Sequence, residues 1–125
     1  MAIQQSELIE VRNVKGKGRG VFARTFISAG TEIERVPMLV VPESATYGTV
    51  LSDYAFFWGK GTVALALGYG SIYNHSYKPN ARYEDYNNRT KGYIAIKDIP
   101  AGEEITINYN GDPTCCDPVD FDVLE

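Results

Sequence analysis

Apolar residues recur at every second position in several short runs of this chain. Residues 8–14 place Ile9 and Val11 on one side; residues 104–109 place Ile105 and Ile107 on one side, Thr106 and Asn108 on the other. A period of two predicts strands. Residues 21–23, 81–86 and 93–98 read the same way, the last two flanking a polar loop at 87–92. Residues 32–41 hold Ile33, Val36, Leu39, Val40 and Val41 but also Pro37, which predicts an edge strand or a bulge. Residues 15–20 are too glycine-rich for an element interior and predict a loop. Residues 49–58 fit a helix, with Val50, Leu51, Tyr54 and Phe57 at helical spacing and Gly59-Lys60-Gly61 as the stop. Residues 62–67 alternate and read as a strand or a short buried turn.

One internal echo stands out. Phe26-Ile27-Ser28-Ala29-Gly30-Thr31-Glu32-Ile33 resembles Asp98-Ile99-Pro100-Ala101-Gly102-Glu103-Glu104-Ile105. Each predicts a turn closed by glycine and followed by a strand. The sum is a mostly β architecture with one or two short helices rather than alternating β-α units.

At 125 residues the chain is expected to form one domain, 1–125, with a core at about 8–110 and a C-terminal tail at 111–125. The tail, with Asp117, Asp120, Asp122 and Glu125, is expected to be loosely held unless it packs on the ligand side. No apolar run reaches a membrane-spanning length, and the start lacks the basic and apolar blocks of a signal peptide. The expectation is no membrane partner and a cytoplasmic address, or a host nucleus for a viral or secreted effector. A net charge of −4 argues against direct nucleic-acid binding and suits a basic partner. The only cysteines, Cys115 and Cys116, are adjacent and offer neither a disulfide framework nor a C-x-x-C zinc pair.

Three segments carry candidate chemistry. Gly16-Lys17-Gly18-Arg19-Gly20 lacks the Gly-Lys-Ser/Thr of a P-loop, and a strand rather than a helix follows it. Glycines there let backbone approach a ligand. Asn74-His75-Ser76-Tyr77-Lys78-Pro79-Asn80 contains the chain's one histidine, so no two-histidine metal site is available. Gly102-Glu103-Glu104-Ile105-Thr106-Ile107-Asn108-Tyr109 ends in one of nine tyrosines.

In this order the three segments resemble the signature segments of the SET domain, a fold of many protein-lysine methyltransferases. The resemblance runs from about Glu10 to Tyr109, and the chain is similar to the minimal, stand-alone members of some viruses and bacteria. It implies a β-clip-like fold with a pseudoknot near the C-terminus, which would bring Tyr109 beside Asn74. It implies methyl transfer from S-adenosylmethionine, leaving S-adenosylhomocysteine, to a lysine of a basic protein or peptide such as a histone tail. By resemblance Tyr109 is catalytic, its hydroxyl beside the transferring methyl. Lys17, Gly18, Arg19, Gly20, Asn74 and His75 hold cofactor. Tyr54 and Tyr69 are candidate walls of the lysine channel, and Ile107, two before Tyr109, tunes how many methyls are added. Glu103 and Glu104 are expected on the turn's solvated rim, and Asp53 at a helix start.

Two departures qualify the resemblance. Many chromatin enzymes follow Asn-His-Ser with cysteine and add a C-x-C-x4-C tail that holds zinc; Tyr77 and Cys115-Cys116 stand here, so no zinc is expected. Either the stretch 111–121 or a second subunit of a homodimer would then close the site. The alternative to an enzyme is a catalytically silent module of the same fold that binds peptide or cofactor.

Overall fold

Nine strands carry the chain in the computed structural model, which describes residues 2–121, 123 and 125; Met1, Asp122 and Leu124 lie outside it. Strand β1 (Ile9–Val14) and β2 (Gly18–Ala23) form a hairpin with Val14 opposite Gly18. The glycine segment therefore divides: 15–17 is the turn, and Gly18-Arg19-Gly20 is already strand. Gly18 sits at φ +82, which side chains rarely adopt, and that conformation lets the chain re-enter the ladder directly after a three-residue turn.

Strand β3 (Glu32–Pro42) is the spine of a five-stranded sheet. The sheet order is β4 (Ala55–Gly59), β5 (Thr62–Ala66), β3, β8 (Thr90–Ala95), β7 (Ala81–Tyr86). Pro37 thus lies in a central strand, not an edge. It is accommodated because β3 changes partner there: Glu32 to Pro37 pair with β8 and Met38 to Pro42 with β5. The Pro37 carbonyl accepts from Leu67 N (3.1 Å), so its missing N–H falls where the β5 ladder ends. The bulge lies instead between Glu32 and Glu34.

The helix expected at 49–58 does not form. Val50–Tyr54 is a single 3₁₀ turn, capped by the Thr49 hydroxyl accepting from Leu51 N (3.2 Å). Ala55–Gly59 is the edge strand β4, paired with β5 through a turn at Gly59-Lys60-Gly61. Consecutive Phe56, Phe57 and Trp58 favour a pleated surface, and pairing with β5 outweighs the weak helical spacing. The only other helical piece among the described residues is the 3₁₀ turn Glu43–Ala45. Strand β8 begins three residues earlier than its sequence suggested, since Asn88 and Arg89 adopt positive φ and close the β7–β8 hairpin tightly.

The second sheet has the order β1-β2-β9-β6, with β9 at Glu104–Ile107 and β6 at Asn74–His75. The two echoed segments meet: Ile27 and Ile99 exchange both backbone hydrogen bonds (2.9 and 2.8 Å). Gly30 N donates to Ala95 O and Gly102 N to Ala23 O (both 2.8 Å), so each segment closes on the strand preceding the other. Val21, Ile27, Ile33, Ile99, Ile105 and Ile107 form the core at this junction, with stacked Tyr73 and Tyr93 beside them.

Strand β6 runs parallel to β9, Asn74 opposite Thr106 and His75 opposite Ile107. Asn80 extends this short ladder with its side chain. Its Nδ2 donates to Glu104 O (2.8 Å), and its Oδ1 accepts from Thr106 N (2.9 Å). Asn80→Ala would leave both half-buried backbone groups without this partner and should cost about 2–4 kcal/mol. Urea unfolding is the measurement, with a lowered midpoint and an unchanged slope as the expected result.

Candidate active site

Tyr109 follows β9 and stands between two cavities. Its main-chain N donates to His75 Nδ1 (2.9 Å) and its hydroxyl to Tyr73 O (2.6 Å). The clasp of β6 on β9 thus orients Tyr109 at both ends. Tyr73 is itself fixed: its ring stacks on Tyr93 (centroids 4.3 Å apart) and its hydroxyl donates to Glu34 Oε1 (2.9 Å). Glu34 also accepts from Tyr69 N (3.0 Å), and burial raises its pKa against the lowering effect of those bonds. Burial pushes the Tyr109 hydroxyl up to about 12, with Glu104 and Tyr54 adding to the shift. Tyr109 is therefore a neutral hydrogen-bond donor at working pH and not a phenolate base.

The first cavity, about 240 Å³, is lined by Gly16, Lys17, Asn74, His75, Tyr109, Phe121 and Val123. A polar cluster builds one wall. Lys17 Nζ donates to Glu104 Oε1 (3.2 Å); Asn74 Nδ2 donates to Glu104 Oε2 (2.7 Å) and to Arg19 O (2.9 Å). Gly20 permits this convergence, since a Cβ there would lie 2.5 Å from Glu104 Oε2 and 2.9 Å from Asn74 Nδ2. Glu104 is therefore not on a solvated rim. It points inward because β9 pairs with β2 and brings Glu104 opposite Phe22, beside the glycine strand.

His75 is almost fully buried, its ring edge-on to Tyr77 (4.5 Å) and Phe121 (6.2 Å). Because Nδ1 accepts from Tyr109 N, the ring proton belongs on Nε2. Nε2 is buried without a hydrogen-bond partner among the described residues. The tail is irregular but held on this side. Asn108 Nδ2 donates to Cys115 O (2.6 Å), Asn110 Nδ2 to Asp117 O (3.0 Å), and Ser76 Oγ to Glu125 Oε1 (2.8 Å). Phe121 reaches the Tyr109 ring at 5.9 Å.

The second cavity, about 330 Å³, lies on the other side of Tyr109. Tyr54, Phe56, Phe57, Tyr73 and Tyr83 give it an aromatic wall, and Asp53, Asp85 and Lys91 line it too. Asp53 thus reaches the cleft from the 3₁₀ turn.

Of the residues singled out by sequence, Lys17, Asn74, His75 and Tyr109 share the first cavity, and Tyr54 joins Tyr109 in the second. Gly18, Arg19 and Gly20 line neither; they shape the wall from behind, Arg19 through its carbonyl. Tyr69 is turned away, its N–H held by Glu34, and packs on the core. Ile107 is fully buried because alternation along β9 points it into the core. Sequence reasoning missed Glu104, Gly16, Tyr73, Tyr83, Asp85, Lys91 and Phe121. Gly16 and Glu104 lay within motif segments; the others converge from separate strands and the tail. Among the described residues no group of three or more His, Cys, Asp or Glu is arranged to hold a metal ion.

Comparison with known proteins adds three findings. A family model described as SET domain matches residues 18–110. A Schizosaccharomyces pombe histone-lysine N-methyltransferase, specific for lysine 37 of histone H3, is 40% identical over 106 residues, covering 81% of this chain and 72% of the relative. The crystal structure of a Plasmodium falciparum protein assigned to the histone methyltransferases superposes with a TM-score of 0.72 at 33% identity, covering 86% of this chain and 95% of that one.

His75 generates a pH prediction. Burial lowers its pKa, against a smaller upward pull from Glu125. The unfolded chain, with a histidine pKa of about 6.5, then takes up a proton before the folded one does. The stability at stake is complete above about pH 6.5 and is lost as pH falls toward the folded-state value. Thermal melts from about pH 7.5 down to 5 should show this loss, and a His75→Phe variant should show a shallower decline.

Proposed function

The chain belongs to the SET domain family, and as a protein-lysine methyltransferase of that family we propose that it takes its methyl group from S-adenosylmethionine and delivers it to a lysine of a basic protein, such as a histone. The observation that carries this reading is the placement of Tyr109 in the walls of two separate cavities. One cavity can hold the donor and the other the acceptor, with the tyrosine where they meet.

The residues of the first cavity fit the cofactor. Lys17, held by one bond to Glu104, keeps ammonium hydrogens for a carboxylate, Asn74 keeps its amide oxygen, and Tyr109 and Phe121 offer aromatic faces for a purine. His75 Nε2 is a buried donor still in need of an acceptor. S-adenosylmethionine supplies, when bound, an electrophilic methyl on a cationic sulfur. Phe121 from the tail lines this cavity and stands against Tyr109, which supports closure by the stretch 111–121 over closure by a second subunit.

In the second cavity the aromatic wall encloses an aliphatic lysine stem, and Asp53 attracts its charge on entry, Asp85 being paired with Lys91. Burial among rings favours the neutral amine that the reaction needs. The Tyr109 hydroxyl, its proton committed to Tyr73 O, keeps its oxygen lone pairs free to accept. It orients the amine and holds polarised methyl C–H groups. No base is assigned to Tyr109, whose hydroxyl stays protonated. The acidic balance of the chain supports a basic protein as acceptor.

Calorimetric titration should give S-adenosylmethionine and S-adenosylhomocysteine affinities near micromolar. Tyr109→Phe should lower turnover on a histone peptide by about 100-fold or more while leaving both affinities nearly intact; unchanged turnover would remove the mechanism. The wild-type rate should climb with pH above neutrality as the free amine accumulates, since a lysine ammonium has a pKa of about 10.4. A flat profile would show that deprotonation does not limit the rate.

A further inference from the structure

The strangest residue in the second cavity is Lys91. Its side chain has 0% of its surface exposed. The ammonium lies over the rings of Phe56 and Tyr83 (4.1 Å to each centroid), with Trp58 farther off at 5.9 Å. Its one hydrogen bond is to Asp85 Oδ1 at 2.6 Å. This is an aromatic cage already filled by the protein's own cation.

Stability does not account for it. Taking an ammonium out of water is costly, and its carboxylate partner Asp85 is itself 44% exposed, which weakens the pair. Position does account for it. Phe56, Tyr83 and Lys91 of the cage line the same cleft as Tyr109.

We propose that Lys91 is an electrostatic tuning residue: by filling the cage with a fixed positive charge, it keeps the incoming substrate lysine from being held there as an ammonium and favours its neutral amine. This inference rests on the methyltransferase reading and names a device within the same site. Lys91 need not touch the substrate. It acts through space, as a like charge in a cleft of low dielectric.

The other charges around it leave room for this effect. From β7 come Asp85, already matched by Lys91, and Tyr83, whose pKa is raised by burial and Asp85. From the 3₁₀ turn come Asp53 and Tyr54. The neighbouring sheet side contributes the neutral hydroxyls of Tyr73 and Tyr109. Behind them, Glu34 from β3 and Tyr93 from β8 are buried, and burial favours the neutral form of each. Burial also pulls the Lys91 pKa down, and Asp85 opposes it. Without Lys91 the cleft would keep Asp53 and Asp85 and an empty cage, and would stabilise an ammonium instead.

The test compares kcat and KM across pH for the wild type, Lys91→Met and Lys91→Arg on one basic peptide that the wild type methylates. In Lys91→Met the rising limb of kcat should move about one pH unit upward, as expected for loss of a unit charge about 10 Å away at an effective dielectric near 20. Near neutral pH, KM should fall while kcat drops about tenfold, and kcat should recover at high pH. Lys91→Arg should restore the wild-type profile. A Lys91→Met profile that overlays the wild type, or is lowered equally at every pH, overturns the proposal. Should Lys91→Met fail to fold, Lys91→Gln takes its place and is read by NMR. A peptide with ¹³C-labelled lysine Cε, bound in the presence of S-adenosylhomocysteine, must titrate higher on the variant than on the wild type; equal values overturn the proposal. A wild type that methylates nothing sinks the methyltransferase reading itself, an outcome distinct from active enzymes with identical profiles.

Discussion

Two residues of parallel ladder join β6 to β9, and the functional site depends on them. A two-residue strand cannot hold itself. It is held because Asn80 continues the pairing with a side-chain amide and because Ser76 N donates to Ile107 O (2.9 Å). Through this clasp His75 Nδ1 meets Tyr109 N, and Tyr73 O meets the Tyr109 hydroxyl. Remove the clasp and Tyr109 loses both anchors, and the two cavities lose the residue they share.

Buried polarity is concentrated around that clasp. Glu34, Tyr73, Asn80, Asn108 and His75 are all nearly inaccessible, and the hydrogen-bonded ones act as rigid pegs in a core made of isoleucine and valine. Such groups stabilise little on balance but exclude alternative arrangements when every member is satisfied. His75 Nε2 is the one buried side-chain nitrogen or oxygen among the described residues left without a partner, and His75 lines the first cavity. On the other side of Tyr109 the same economy holds: Lys91 fills its cage and pairs with Asp85, so the aromatic wall is preorganised before any substrate arrives.

Much of the strand layout was legible from alternation. The first strand and β7 lie within a residue of where their patterns placed them, because a half-buried strand writes its two faces directly into sequence. Residues 49–58 misled because four apolar residues at helical spacing also fit a turn followed by an edge strand, and only the presence of β5 decides between them. Pro37 misled for a related reason. Whether a strand is central depends on partners distant in sequence, and a proline is tolerated there when the ladder changes sides at it. Glu104 looked like part of a surface turn, yet pairing with the glycine strand turned it inward to hold Lys17 and Asn74.

The sequence by itself determined where strands and turns begin, which chemical groups are available, and which family the three motifs belong to. These are local properties: a period of two, a glycine able to take positive φ, and a short run of side chains in fixed order. Only the tertiary structure decided which groups share a cavity. Lys91 and Asp85 are six residues apart and their pairing follows from one hairpin, but Phe56 and Trp58 complete the cage from across the sheet. Tyr73 and Tyr109 meet across 36 positions, and Lys17 and Glu104 across 87. Such distances are closed by β pairing between remote segments, and no local pattern of residues carries that information.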